Sequence, residues 1–182
     1  MKIVETGFDD LVIIESKVIC DARGYFMESY RYDEFQKHGI DIRFVQDNQS
    51  KSKKGVLRGL HYQNAPYPQT KLVRVLSGVI LDVVVDLRRN KSTFGKSYSI
   101  ELSSDNKKQL LAPKGFAHGF LVLSQEAEIL YKCDEFYHPE VEGGIMYNDP
   151  SLKIDWQMNE NELVLSQRDQ NHPNLSNAVF NF

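Results

Sequence analysis

Alternation of apolar and polar residues dominates this chain, and helical spacing is scarce. From Val79 to Arg88, Val79, Leu81, Val83, Val85 and Leu87 fall on one face of an extended segment; Ile80, Asp82, Val84, Asp86 and Arg88 fall on the other. That period of two is the signature of a strand. Ser77-Gly78 reads as a turn after a strand over Lys71–Leu76, which predicts a β-hairpin. Comparable patterns bounded by Gly, Pro, Asn and Asp predict strands over Leu11–Ser16, Phe26–Tyr30, Val56–Tyr62, Tyr98–Leu102, Gln109–Ala112, Gly119–Leu123 and Ile129–Tyr137. The best helical window is Tyr32–His38, stopped by Gly39, with a weak one over Asn159–Leu163. Many short strands and few helices predict a mostly β sandwich or barrel, one domain spanning 1–182.

Composition narrows the function classes. With 182 residues, 41% of them hydrophobic and 11% aromatic, the chain can build a sizeable core. A net charge of −3 with interspersed signs predicts neither a nucleic-acid surface nor a membrane partner. No apolar run approaches the roughly 20 residues needed to span a bilayer. The segment Met1–Glu5 followed by Asp9-Asp10 lacks the apolar stretch of a secretory signal. Cys20 and Cys133 are too few and too far apart for a disulfide framework. A soluble cytoplasmic protein is expected.

Several strand segments carry polar residues where a closed β architecture wants apolar ones. Arg58-Gly59-Leu60-His61-Tyr62-Gln63 places Arg, His and Gln on one strand, and Lys71 follows. Gly115-Phe116-Ala117-His118-Gly119 sets a histidine between glycines, where backbone can approach a ligand closely. Tyr131 shares a face with Ile129 and Cys133, and Ser166-Gln167-Arg168-Asp169 offers a carboxylate beside a cation. Taken singly, each has a plain structural reading: a strand histidine is usually satisfied locally, and an aspartate often caps a turn. Strict alternation also sends Arg58 and His61 to opposite sides, unless Gly59 hosts a bulge. The histidines lack metal-ligand spacing, no Gly-x-Ser-x-Gly elbow occurs, and no Gly-rich phosphate loop precedes a helix. A bound metal is not expected. What remains is proton transfer by His, Tyr and Asp, with Lys and Arg supplying positive charge.

Ordered motifs along the chain resemble the dTDP-4-dehydrorhamnose 3,5-epimerase family. They include Asp21-x-Arg23-Gly24-x-Phe26-x-Glu28, Phe44-Val45-Gln46-Asp47-Asn48-x-Ser50, Leu57–Gln63, Lys71–Val75, Asp82–Arg88, Gly115–Phe120 and Tyr131-Lys132-Cys133. Asn148-Asp149-Pro150, Ile154-Asp155-Trp156 and Leu165-Ser166-x-x-Asp169 complete the series. The resemblance implies a cupin-like jelly-roll barrel, a homodimer, and a dTDP-linked 4-keto-6-deoxy sugar inverted at C3 and C5. It also implies roles: His61 as general base, Asp169 as its carboxylate partner, Tyr131 as general acid on the opposite face, and Lys71 near the C4 oxygen. Arg23, Phe26, Glu28, Gln46, Asn48, Arg58, His118, Tyr137 and Arg168 are the implied substrate-binding set. Two positions depart from the family's habit: Arg168 stands where Lys is commoner, and Tyr147 where Trp is commoner. Inversion at one carbon only, on a related nucleotide sugar, is the alternative; a non-catalytic sugar-binding jelly roll is the remote one.

Overall fold

Alternating sequence becomes sheet throughout the computed structural model, which describes all residues from Met1 to Phe182. In chain order the strands are β1 (Lys2–Glu5), β2 (Val12–Glu15), β3 (Val18–Asp21), β4 (Gly24–Met27), β5 (Gln46–Lys53), β6 (Leu57–Gln63) and β7 (Lys71–Ser77). They continue as β8 (Val79–Asp86), β9 (Ser97–Ser103), β10 (Lys108–Ala112), β11 (Phe116–Val122), β12 (Glu126–Cys133) and β13 (Glu142–Gly144). One sheet runs β1-β2-β10-β7-β12-β5, a second runs β13-β6-β11-β8-β9, and β3-β4 forms a separate hairpin. From β5 to β13 almost every connection crosses from one sheet to the other, the weave of a cupin-like jelly roll.

That weave overturns the hairpin expected at Ser77-Gly78. The turn is real, with Gly78 at φ +82°. However, β7 pairs with β10 and β12, whereas β8 pairs with β11 and β9 in the other sheet. β8 lies inside its sheet, between β11 and β9, with both faces covered, and both are accordingly mainly apolar. Ile80 and Val84 face the inter-sheet core with Val73, Val75, Phe120 and Ile129. Leu81, Val83, Val85 and Leu87 face outward and are covered by the C-terminal segment through Ile145, Leu152, Trp156 and Phe180.

The single α-helix, α1 (Tyr32–Lys37), buries Phe35 against Ile14, Leu72 and Leu111 on the outer face of the six-stranded sheet. Gly39 ends it at φ +83°, a conformation that costs glycine little. Over Asn159–Leu163 only a 3-10 turn forms, Glu160–Glu162. The strands expected to reach Tyr30 and Tyr137 stop at Met27 and Cys133. No helix is long and apolar enough to cross a membrane. Beyond β13 the chain wraps the outer face without regular strands and carries Asp169 to the end of the barrel in a final 3-10 turn, Asp169–Asn171.

Candidate active site

A bulge settles where Arg58 and His61 point. On β11, His118 lies opposite His61 and Phe120 opposite Arg58, so three steps along β6 match two along β11. The extra residue cancels the alternation and turns both side chains to the same side. Gly59 makes this possible: its φ is +129°, and a Cβ there would stand 2.5 Å from the Gly119 Cα. Two glycines let the strands touch back to back.

His61 meets Asp169 from the C-terminal segment, with Nε2 and Oδ1 2.6 Å apart. This leaves Nδ1 as the free ring nitrogen. Asp169 is only 4% exposed. Burial pushes its carboxyl up, but the neighbouring imidazoles of His172 and His61 outweigh this and hold it well below the usual carboxylate range. Burial lowers the His61 pKa, partly opposed by Asp169, so the ring is neutral at physiological pH. Ligand atoms of His61, Asp169 and His172 lie within 4.8 Å of one another. Two ligands of one tetrahedral zinc, each roughly 2.0 Å from the ion, stand about 3.3 Å apart. The 2.6 Å contact is the spacing of a hydrogen bond, not of two such ligands.

The opposite wall belongs to the six-stranded sheet. Tyr131 on β12 is flanked by Asn48 on β5 and Val73 on β7, while Lys71 lies across from Cys133. Two cavities of about 300 and 480 Å³ share His61, Lys71 and Tyr131 as lining, so imidazole and phenol face common space from different sheets. Burial raises the Tyr131 pKa, assisted by Cys133 and opposed by Arg58, which keeps it a protonated phenol. Burial pushes the Lys71 amine down, against the pull of Cys133, Glu142 and Asp82.

Polar side chains complete the walls. Arg58 donates to Ser52 Oγ at 3.2 Å, and His118 Nε2 sits 3.0 Å from both oxygens of the fully buried Asp82. At the mouth, the Tyr137 hydroxyl donates to Glu142 at 2.5 Å, and Arg168 reaches the same oxygen at 2.7 Å. Gln46 accepts from the Tyr137 backbone N–H at 2.9 Å and donates to Asn48 at 3.1 Å. Burial pushes the Glu142 carboxyl up, but Tyr137 and Arg168 outweigh it and leave its pKa lowered.

Ten of the thirteen sequence-selected residues therefore line these cavities: His61, Lys71, Tyr131, Asp169, Gln46, Asn48, Arg58, His118, Tyr137 and Arg168. The other three do not. Arg23 and Phe26 sit on the β3-β4 hairpin and Glu28 just beyond it, lining separate surface hollows. Arg23 is paired with Asp21 and Glu28 with Arg31, and Phe26 is 65% exposed. Sequence reasoning missed Asp82, Glu142, Ser52 and His172. For Asp82 a signal existed, a charge in mid-strand between Leu81 and Val83; for the others, no local pattern marks them. A larger hollow of about 700 Å³ lies outside the six-stranded sheet. Its cations are already engaged, Arg88 with Asp86, Lys91 with Asp9 and Lys114 with Asp134.

The family model described as dTDP-4-dehydrorhamnose 3,5-epimerase matches residues 5–177. A curated protein of that description from Methanothermobacter thermautotrophicus is 48% identical over 181 residues, covering 98% of this chain and 97% of its own. The crystal structure of the dTDP-4-dehydrorhamnose 3,5-epimerase from Elizabethkingia anophelis superposes with a TM-score of 0.93 at 51% identity, covering 97% of each chain. A Legionella pneumophila dTDP-6-deoxy-D-glucose-3,5-epimerase, solved in complex with dTDP-4-keto-L-rhamnose, gives 0.92 at 49% identity over 97% of this chain and 93% of its own.

Proposed function

This chain belongs to the dTDP-4-dehydrorhamnose 3,5-epimerase family, and from that premise we propose how its own residues carry out the reaction. The enzyme is an isomerase that epimerises dTDP-4-dehydro-6-deoxy-D-glucose at C3 and C5, giving dTDP-4-dehydro-L-rhamnose for dTDP-L-rhamnose biosynthesis. The whole chain, 1–182, acts as one catalytic domain in the cytoplasm.

A hydrogen on carbon beside a ketone is acidic only because its loss gives an enolate whose charge rests on the ketone oxygen. The sugar's own C4 ketone is the electron sink, so the chemistry asks for no cofactor. His61, held neutral by burial, takes the proton. Asp169 orients the ring and supports the imidazolium that forms. Lys71 lines the same cavity, where a cation or strong donor stabilises the C4 oxyanion. Inversion requires a proton returned to the other face. Tyr131 is a phenol on the facing sheet, and Arg58 nearby lowers the cost of the phenolate left behind.

Arg58, Arg168 and His118 offer donors to the diphosphate and sugar, and guanidinium forks match phosphate oxygens. Tyr137, half exposed at the mouth, presents a face for thymine. The observation that carries the reading is the sharing of both cavities by His61 and Tyr131 from opposite sheets. Incubation with substrate in deuterated water tests it. Deuterium enters at C3 and C5 with the native enzyme and at neither with His61→Ala, whose affinity for dTDP stays close to native. A native rate of exchange in that variant removes His61 from the role of base, and label at one carbon only makes the enzyme a mono-epimerase.

We also propose that the enzyme is a homodimer in which Arg23, Phe26 and Glu28 act on the neighbouring subunit's cavity. The hairpin bearing them leaves Ile19, Tyr25 and Phe26 more than half exposed. Such a patch is costly to leave in water and suits a second copy.

A further inference from the structure

The register that places His61 opposite Gly144 on β13 leaves a gap with no side chain beside the base. The ring of His172 fills it. A Cβ on Gly144 would stand between 2.3 and 2.5 Å from three atoms of that ring. His172 meets the His61 ring edge-on at 5.4 Å and 74°, and its Nε2 lies 3.5 Å from the same Asp169 oxygen that His61 uses. That nitrogen is buried and makes no hydrogen bond, the 3.5 Å approach to Asp169 being too long for one. We propose that His172 is a positioning residue of the epimerase: with Asp169 Oδ1 3.5 Å from its buried Nε2, its N–H serves that oxygen, holds the carboxylate in line with His61, and takes a share of its charge.

Sharing has a direction. A carboxylate that also serves His172 gives less support to a protonated His61, so His172 keeps the base weaker than a lone His–Asp pair would. The other ionisable groups around His61 are Arg58 on its own strand, Lys71 on β7, His118 on β11, Tyr131 on β12 and Glu142 on β13 with its partner Arg168. Substitution at His172 alters none of them, so a change in the titration of the base reports on the contact with Asp169.

The proposal rests on His61 being the base, and the test separates the two. His172→Phe keeps a ring against Gly144 without the donor; His172→Gln restores an N–H at similar reach. In deuterium-exchange kinetics followed over pH, His172→Phe lowers kcat about tenfold with KM little changed, the size of one lost hydrogen bond to a charged group. It also moves the acid limb of kcat/KM upward by roughly half a unit to one unit, and His172→Gln recovers most of both. A native acid limb in His172→Phe, or equal losses in the Phe and Gln variants, means that the ring only packs. If His172→Phe does not fold, two-bond 1H–15N spectra of native enzyme labelled at histidine decide instead. A proton on His172 Nε2 supports the proposal, and a proton on Nδ1 alone overturns it. Exchange persisting in His61→Ala overturns the base assignment while leaving that tautomer result standing.

Discussion

Replacing Asp169 with asparagine alters one charge and almost no volume at the most buried part of the proposed proton path. The 2.6 Å contact with His61 Nε2 is a hydrogen bond to a carboxylate held ionised far below neutrality. A bond to a charged group is worth about 1.5–3 kcal/mol, or about 10- to 150-fold in rate at about 1.4 kcal/mol per decade. The amide adds a second loss when it turns its NH2 toward His61. Nε2 must then accept, the ring proton moves to Nδ1, and the nitrogen facing the substrate no longer has a lone pair. The same substitution in a serine-protease triad costs about 10⁴ for this reason. Asp169→Asn is therefore expected to slow deuterium entry at C3 and C5 by between about 10² and 10⁴. KM changes little, because the carboxylate faces His61 and not the sugar. Because burial lowers the His61 pKa, the native acid limb lies below the ordinary histidine value of about 6.5. In the variant it moves lower still, since the imidazolium loses its counter-charge. Exchange within about threefold of native, or a loss confined to KM, refutes the dyad; the rate expected without it is unchanged because the bond contributes nothing.

Further outcomes follow from the same geometry. Tyr131→Phe should still lose hydrogen from the substrate and take up solvent deuterium, while completed inversion, followed by NMR of the sugar, falls at least about 100-fold. Gly59→Ala forces a Cβ to 2.5 Å from backbone at φ +129° and should cost about 2–4 kcal/mol in chemical denaturation; a stable, active variant would mean that the bulge is dispensable. Subunits of His61→Ala and Arg23→Ala, each impaired alone, should regain activity when mixed, because one cavity of the mixed dimer then has both native residues. No recovery places Arg23 in its own subunit's site or in none. Asp169 has a depressed folded pKa, so it contributes stability above the unfolded carboxyl value near about pH 4, lost as pH falls through the folded value. Native enzyme should therefore lose more thermal stability on acidification than Asp169→Asn, read as melting temperature against pH.

Legibility in the sequence followed burial. Strands with an apolar face, such as β2, β8, β10 and β11, announced themselves through alternation, to within a few residues at their ends. The edge strand β5 did not: Gln46, Asn48 and Ser50 line the polar cavities, Ser52 meets Arg58, and the intervening residues meet solvent, so no apolar period exists to be read. The pairing of β7 with β10 and β12 instead of β8 was equally hidden, because alternation reports that a strand has a buried face and says nothing about its neighbours.

The site divided along the same line. The chain alone singled out His61, Lys71, Tyr131, His118 and Asp169 as polar residues in strand or turn contexts, and its ordered motifs tied them to one family. Only the fold could decide that Arg58 and His61 share a side, that Asp82 sits beneath His118, and that His172 approaches Asp169 across from Gly144. Each of those facts depends on register between segments distant in sequence, and register is set by packing between sheets, where a shift of one residue reverses every side chain.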